Sequence, residues 1–541
     1  MPSIVSVNVT QTVAPAPSQQ QKKGAMISQG ATTLAPGTTA LLTQPSDLTA
    51  ILQDVKSLAS LSQAAGVATG TLKSTTIAAG VYNDETGQVT LTLTADVDVT
   101  AGDALTIGTA TGTGDFADID GTFNADEGSV GTTLKFTIAA GLTMTITGGN
   151  VNASLGLPNG AEFWTTISGA AQAGYNLTAL ATVATDKTFT YAVASTTVSP
   201  ATGAPVMTSP DSVELTQMVT TFFAQGSQQA VSVLELGPGT PAEGVTELAA
   251  YVTANTVNGL KPFYSYLVPR SWGGEATWAD YLNAVKSTTG REYGFTTVTT
   301  AEYAAFADIK AAFTMIESPD VPSTEFTAAF PFWVTLNYAP SSTNKVTPLA
   351  FSYGVGVTAY PTEGNAALLT TLKAAGVNYV GTGAEGGISN TVLLWGLTMD
   401  LRPFNYWYSV DWVQITGSQA IANAVINGSN NPINPLYYNQ NGIDRLQQVL
   451  ASVMGSGISF GLVLGNVQQT ALNASAFQIA LDQGTFDGLT TVNAVPFTAY
   501  TAANPSDYRA GAYNGLSVQY TPNRGFESIT FNVNVTDFVT Q

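Results

Sequence analysis

The chain has 541 residues and a formal net charge of −20, with 10% charged and 44% apolar side chains. An acidic surface repels phosphate, which argues against nucleic-acid binding and against docking on anionic membranes. There is no Cys and no His, so disulfides, thiol nucleophiles, imidazole bases and the usual zinc ligands are all excluded.

The apolar fraction is too high for disorder, and the length allows several cores. The remainder is rich in Thr, Ala, Gly, Ser and Asn, a β- and turn-rich composition that leaves much neutral surface for contacts between subunits. The opening Met1-Pro-Ser-Ile-Val5 lacks a basic region followed by an apolar core, and no apolar run approaches the roughly 20 residues of a membrane span. Assembly in a cytoplasm is the expectation.

At the N-terminus Val5, Val7 and Val9 alternate with Ser6, Asn8 and Thr10. This period of two marks a strand. A Pro/Gln-rich stretch over 14–23 follows as a tether. Pro45-Ser-Asp47 opens an expected helix, with Leu48, Ile51, Leu52 and Val55 on one face and Ser46 as cap. From about 71 to 205 the composition shifts to Thr, Gly, Ala and Asp. Strands read at Gln88–Thr94, Leu134–Ile138 and Thr188–Val193 between closely spaced turns, as in a small β-sandwich or barrel.

Beyond residue 209 the period becomes helical. Leu215, Met218, Val219, Phe222 and Phe223 form a stripe stopped by Gly226. Strand Val231–Leu236 and helix Pro241–Asn255 come next, then strand Phe263–Val268, helix Thr277–Lys286, strand Phe295–Val298 and helix Ala301–Lys310. Strands Ala312–Ile316 and Trp333–Asn337 precede helix Glu363–Ala375, which ends at Gly376, and strand Val377–Val380. This alternation implies an α/β layer fold. After Leu401, Tyr406, Trp407, Tyr408 and Trp412 crowd together. A helix over Ile443–Met454 leads to strand Ile458–Leu464 and a β-rich tail. The turn Pro522-Asn-Arg-Gly525 launches a last strand, in which Ile529, Phe531, Val533 and Val535 alternate with polar residues.

The fold class is therefore mixed α/β and multi-domain, with a layered core, an inserted all-β domain and extended terminal strand arms. The divisions are 1–24 for the N-terminal arm and linker, 25–70 with 206–400 for the α/β domain, 71–205 for the insertion, and 401–541 for a C-terminal domain with its arm.

Motifs for chemistry are weak. Gly381-Thr-Gly-Ala-Glu-Gly386 matches G-x-G-x-x-G, with Asp400 as a ribose partner, yet Leu393–Leu397 reads as a strand where the motif needs a helix. Asp118, Asp120 and Glu127 occupy calcium-loop positions, but Phe116 stands where the first ligand belongs and helices do not flank it, so acidic hairpin turns are the simpler reading. Ser342-x-x-Lys345 lies in a polar connector where nothing would depress the Lys pKa. Carboxylate pairs for glycoside hydrolysis need a spacing that only three dimensions show. Trp407, Tyr408 and Trp412 suit a core or interface, or else a sugar-stacking platform. Catalytic, cofactor and metal residues are all expected to be none.

The two terminal strands, the helix and strand Leu215–Leu236 closed by Gly237-Pro-Gly239, and the stretch Asn504–Pro522 with its following strand resemble the tail sheath proteins of contractile-tailed, myovirus-type bacteriophages. The likeness is one of layout over most of the chain. It implies a virion tail protein, assembled in the host cytoplasm, that polymerises in hexameric rings and a helix around a tail tube. Contraction then drives the tube into the host envelope. It implies contacts with copies of itself, the tube protein, and baseplate and terminator proteins. It further implies that the arms Val5–Val9 and Ile529–Val535 extend a neighbour's sheet, with the acceptor in 401–520 and the β insertion facing outward. The alternatives are a surface carbohydrate-binding adhesin or a glycan hydrolase.

Overall fold

The structure is a computed structural model. It describes residues 19–52, 55–99, 103–126, 128–208, 210–226, 230–237, 239–257, 260–287, 291–319, 325–360, 366–382 and 391–526. These fall into two compact units. One holds the chain up to Ala25, Thr220–Val231 and everything from Val252 on; the other holds Met26–Val219 and Ser232–Tyr251.

The second unit begins with strands β1 (Gly24–Ser28) and β2 (Thr38–Leu42). The stretch expected to be helical is only a short 3-10 segment, Pro45–Ala50, capped by Gln44, with the Asp47 carboxylate reaching back to take the N–H groups of Thr43 and Gln44. The chain then enters β3 (Lys56–Ala64) and β4 (Val67–Leu72), turning through Ala65-Gly66, both at positive φ. The helix reading failed here because the chain pairs β3 with β4 in an antiparallel hairpin that buries Leu58, Leu61, Ala68 and Leu72, with a bulge between Leu58 and Ser60, and the Gly turn favours a hairpin over a helix stop.

Strands β5 (Ser74–Tyr82), β6 (Gln88–Leu93), β7 (Ala104–Gly114), β8 (Gly121–Asn124), β9 (Thr133–Thr137) and β10 (Met144–Ala153) form a six-stranded sheet in the order β8-β7-β10-β5-β6-β9. With β11 (Glu162–Ala170), β12 (Thr178–Thr185), β13 (Thr188–Ala192) and β14 (Gly203–Thr208), β3 and β4 close a barrel in the order β11-β12-β13-β4-β3-β14. A barrel has no open edge. One continuous apolar cluster, from Leu58 to Met207, fills both substructures. The three strands expected between 71 and 205 are β6, β9 and β13.

Helix α1 (Pro210–Ala224), strand β15 (Val231–Glu235) and helix α2 (Pro241–Asn255) follow their predicted spans closely. Glu235 is buried and staples the start of this unit. Its carboxylate accepts the hydroxyls of Ser28 and Thr32 and the N–H groups of Gly30, Thr32 and Gly237 at 2.6–3.2 Å.

The first unit carries parallel strands β16 (Ser265–Leu267), β17 (Tyr293–Thr297) and β18 (Ala312–Met315). Helix α3 (Ala276–Ser287) returns from β16 to β17. Gly294 is needed here, because a Cβ there would sit 2.4 Å from the Trp278 indole. The expected helix at 301–310 is a single turn, Tyr303–Phe306. The expected strand Trp333–Asn337 is instead helix α4 (Ala329–Leu336), in which Phe330 and Phe332 are fully buried. A short, wholly apolar run has no period to read, and tertiary burial decided its form.

Helix α5 (Ala366–Ala375) ends at Gly376, at φ +76°. Strands β19 (Tyr379–Thr382) and β20 (Thr391–Leu394) pair antiparallel. Helix α6 (Phe404–Ser429) and helix α7 (Gln440–Ser459) pack on each other. Helix α7 runs on to Ser459 and takes the first two residues of the expected strand 458–464; the rest is a turn and a single bridge from Val463 to Pro522. The tail is not β-rich throughout. Strands β21 (Val467–Thr470), β22 (Thr490–Ala494) and β23 (Leu516–Gln519) alternate with helices α8 (Ala474–Asp482), α9 (Phe497–Ala503) and α10 (Pro505–Ala510).

Candidate assembly site at the root of the chain ends

Helix α6 starts at Pro403 and turns inward the stripe Phe404, Tyr408, Trp412 and Ile415, each no more than 3% exposed. Phe404 packs on Tyr293, Phe295 and Phe313, with ring centroids 5.0–6.2 Å apart. Tyr408 and Trp412 are therefore core residues and cannot form a sugar platform. Asp411, on the same helix, is also buried. It accepts the Tyr293 hydroxyl at 2.8 Å and the Tyr264 hydroxyl at 2.9 Å. Burial raises its pKa above the usual carboxylate range, against the field of Lys310 and the two tyrosine hydrogen bonds.

Both ends of the described chain are fastened to the first two turns of this helix. Gln21 is buried, and its side-chain amide donates to the Tyr408 carbonyl at 3.0 Å and to the Tyr264 hydroxyl at 3.5 Å. Three residues earlier on α6, the Asn405 amide donates to the Asn523 carbonyl at 3.0 Å. The Asn523 N–H in turn donates to the Leu462 carbonyl, and the Leu464 N–H donates to the Thr521 carbonyl. Both fastenings therefore fall within the first two turns of α6.

The small sheet of this unit has the order β21-β22-β23, with β21 parallel and β23 antiparallel to β22. Among the described residues neither β21 nor β23 has a strand on its outer side. Every residue of β23 is half-buried, and β21 has two exposed glutamines, Gln468 and Gln469, at its centre. The central strand β22 is fully buried. From helix α7 the Gln447 amide spans β21 and β22, donating to the carbonyls of Thr470 and Val492 at 2.7 and 2.8 Å. Two unpaired edges on a rigid base can accept a further strand.

The proposed donors Val5, Val7, Val9, Ile529, Phe531, Val533 and Val535 lie outside the described residues, as do Glu127 and Gly383–Gly386. Gly381 and Thr382 belong to a strand paired antiparallel with the next one, so the glycine motif does not sit in a βαβ unit. Asp120 accepts the Ala110 N–H and Asp115 the Thr143 N–H, so both carboxylates tie neighbouring stretches of backbone together. Among the described residues no group of three carboxylates could hold a metal, and no helix is long and apolar enough to cross a membrane. Lys345 is exposed in its connector. Asp211 lies near other carboxylates and its pKa is raised to about 7, through burial and then the charges of Glu214 and Glu235. The oxygens of Glu235 are already filled by the five donors described above, so the pair is structural. Sequence reasoning missed Gln21, Asn405 and Asp411. Asn405 and Asp411 stand among aromatic residues, which gives no partner, and Gln21 lies in a Gln/Lys run that reads as a tether.

No protein-family model matches the chain, and no curated protein does. Two crystal structures are similar to it at 10% identity and a TM-score of 0.35. One is the sheath tail protein of Listeria innocua, matched over 84% of this chain and 86% of that one. The other is the sheath tail protein of Desulfitobacterium hafniense, matched over 85% of this chain and 90% of that one. At this level they establish no shared function.

Proposed function

We propose that this chain is a structural protein of a phage tail. It polymerises into the contractile sheath around the tail tube, and copies are joined by exchange of their terminal strands. The observation that carries the reading is the open three-stranded sheet in the unit that also holds Gln21 and Asn523, near the two ends of the described chain. A donated strand would gain backbone hydrogen bonds along β21 or β23, with register set by alternate side chains. A head-to-tail contact of this kind does not close on itself and grows a helical polymer. Energy for contraction would be the difference between two packings of the lattice, so no nucleotide site is required. Tube, baseplate and terminator proteins are the other expected partners, and the β-rich unit would face outward.

Electron microscopy of the purified chain tests this. The full-length protein is expected to form tubes. Removal of residues 1–12, or of 527 onward, is expected to leave a folded subunit that forms none. Long tubes from either truncated form would overturn the arm model.

A further inference from the structure

Carboxylates outnumber cations 37 to 17 in this chain, yet one surface beside the first turn of α6 gathers cations over aromatic rings. The Arg402 guanidinium lies 5.0 Å from the Tyr406 ring centroid and 5.1 Å from that of Trp407. Lys310 Nζ stands 4.3 Å from the Trp407 centroid, and the Arg524 guanidinium 5.8 Å from that of Tyr406. Arg402 and Arg524 are exposed. Among the described residues, Lys56, Lys73, Lys261 and Arg270 each hold a carboxylate, but Lys310, Arg402 and Arg524 form no ion pair. The adjacent Asp400 is turned to other work, accepting Trp407 Nε1 at 3.0 Å and the Thr398 hydroxyl at 2.6 Å.

The turn before this patch is strained. Leu401 sits at φ +61°, a left-handed conformation that is costly for a branched side chain. The Thr398 N–H donates to the Arg402 carbonyl and the Leu401 N–H to the Thr398 carbonyl, at 2.8 and 2.9 Å. The outcome is an apolar side chain, Leu401, left 52% exposed next to Arg402, and Phe526 is 75% exposed two residues beyond Arg524.

We propose that this aromatic-floored cationic surface docks carboxylates on a second copy of the chain. Charge complementarity argues for that occupant. Copies carrying −20 each repel one another, and a contact relieves this only where a cation meets the neighbour's acidic surface. Stacking on the rings fixes the guanidinium groups in advance, so little side-chain entropy is lost on pairing. Leu401 and Phe526 would be covered by the same contact. Nucleic acid would meet the full −20 and is disfavoured. The proposal rests on the assembly reading above, but it uses side chains of the folded body and not the arms.

The test compares full-length wild type, R402E/R524E and R402K/R524K by the protein concentration at which sedimenting polymer appears, with melting temperature as the folding control. Wild type and R402K/R524K are expected to polymerise within about threefold of each other. R402E/R524E is expected to need about tenfold more protein or to fail, since like charges face each other at the contact. In wild-type polymer from mixed isotope-labelled copies, carbodiimide is expected to join Lys310 to a carboxylate of a different copy. Polymerisation of R402E/R524E at the wild-type concentration would overturn the proposal. So would Lys310 linked only within its own copy, or lost binding of a test oligonucleotide or glycan with polymerisation unchanged. If wild type itself forms no polymer, the assembly reading fails as well. If the arm truncations block polymer but the charge reversal does not, this proposal fails alone.

Discussion

Asp411 shows how one residue serves both the core and the chain ends. Its carboxylate fixes Tyr264, and Tyr264, with the Tyr408 carbonyl, holds Gln21. Asp411→Ala would leave two buried hydroxyls without an acceptor. At about 1–3 kcal/mol each, that predicts a loss of about 2–6 kcal/mol and a clearly lower denaturation midpoint. Asp411→Asn keeps an acceptor oxygen and should cost less. The pH dependence has a definite sign. The folded pKa is raised, so the native state binds the proton more tightly than the unfolded chain. The contribution is most favourable below the unfolded value of about 4 and is lost as pH rises toward the raised one. The melting temperature of Asp411→Asn should therefore gain on that of wild type from pH 4 upward. A constant difference across that window would show that Asp411 is not titrating as described.

At the scale of elements, sequence pattern was a good guide where local and tertiary signals agreed. Helix α2 and strands β6, β9 and β13 were legible because apolar residues recur at one clear period between turn residues. It failed where burial on all sides erased the period. Trp333–Asn337 reads as a strand, but Trp333–Leu336 belongs to α4 and Asn337 is its C-cap. The aromatic crowd 404–412 gave no element, yet Pro403 and the stripe Phe404, Tyr408, Trp412 and Ile415 make the longest helix described. The tail was read as β-rich, which fits its three strands β21, β22 and β23 but not the helices α8, α9 and α10 between them. The fastening of both ends to α6 was not legible, because it depends on Gln21 and Asn405 meeting backbone groups far away in sequence. Glycine in a strand can also report packing that the pattern hides. A Cβ on Gly70 of β4 would lie 2.4 Å from the fully buried Phe189 ring in the barrel. Gly70→Ala should cost about 1–3 kcal/mol through overpacking. Calorimetry should show the loss in the transition of the β-rich unit, and the other unit's transition should stay in place. A downward shift in both would mean that the barrel does not melt as its own unit.

For the whole molecule, the proposed arm exchange would separate what a subunit gives from what it receives. On that proposal a copy lacking residues 527 onward keeps the edges of β21 and β23, and so would still accept a neighbour's strand. It has none from that end to pass on. In a polymer grown head to tail, such a copy joins and then weakens the next addition. A mixture should therefore behave differently from simple dilution of competent protein. With full-length chain held at constant concentration, adding the truncated copy should shorten tubes progressively, with a marked effect at about one truncated copy per ten. Tube lengths measured in electron micrographs give the readout. A truncated copy that is inert, leaving length unchanged at equal amounts, would mean that the open sheet does not receive strands. The growth of the polymer would then have to come from contacts of the folded body alone, with the cationic surface beside α6 first among them.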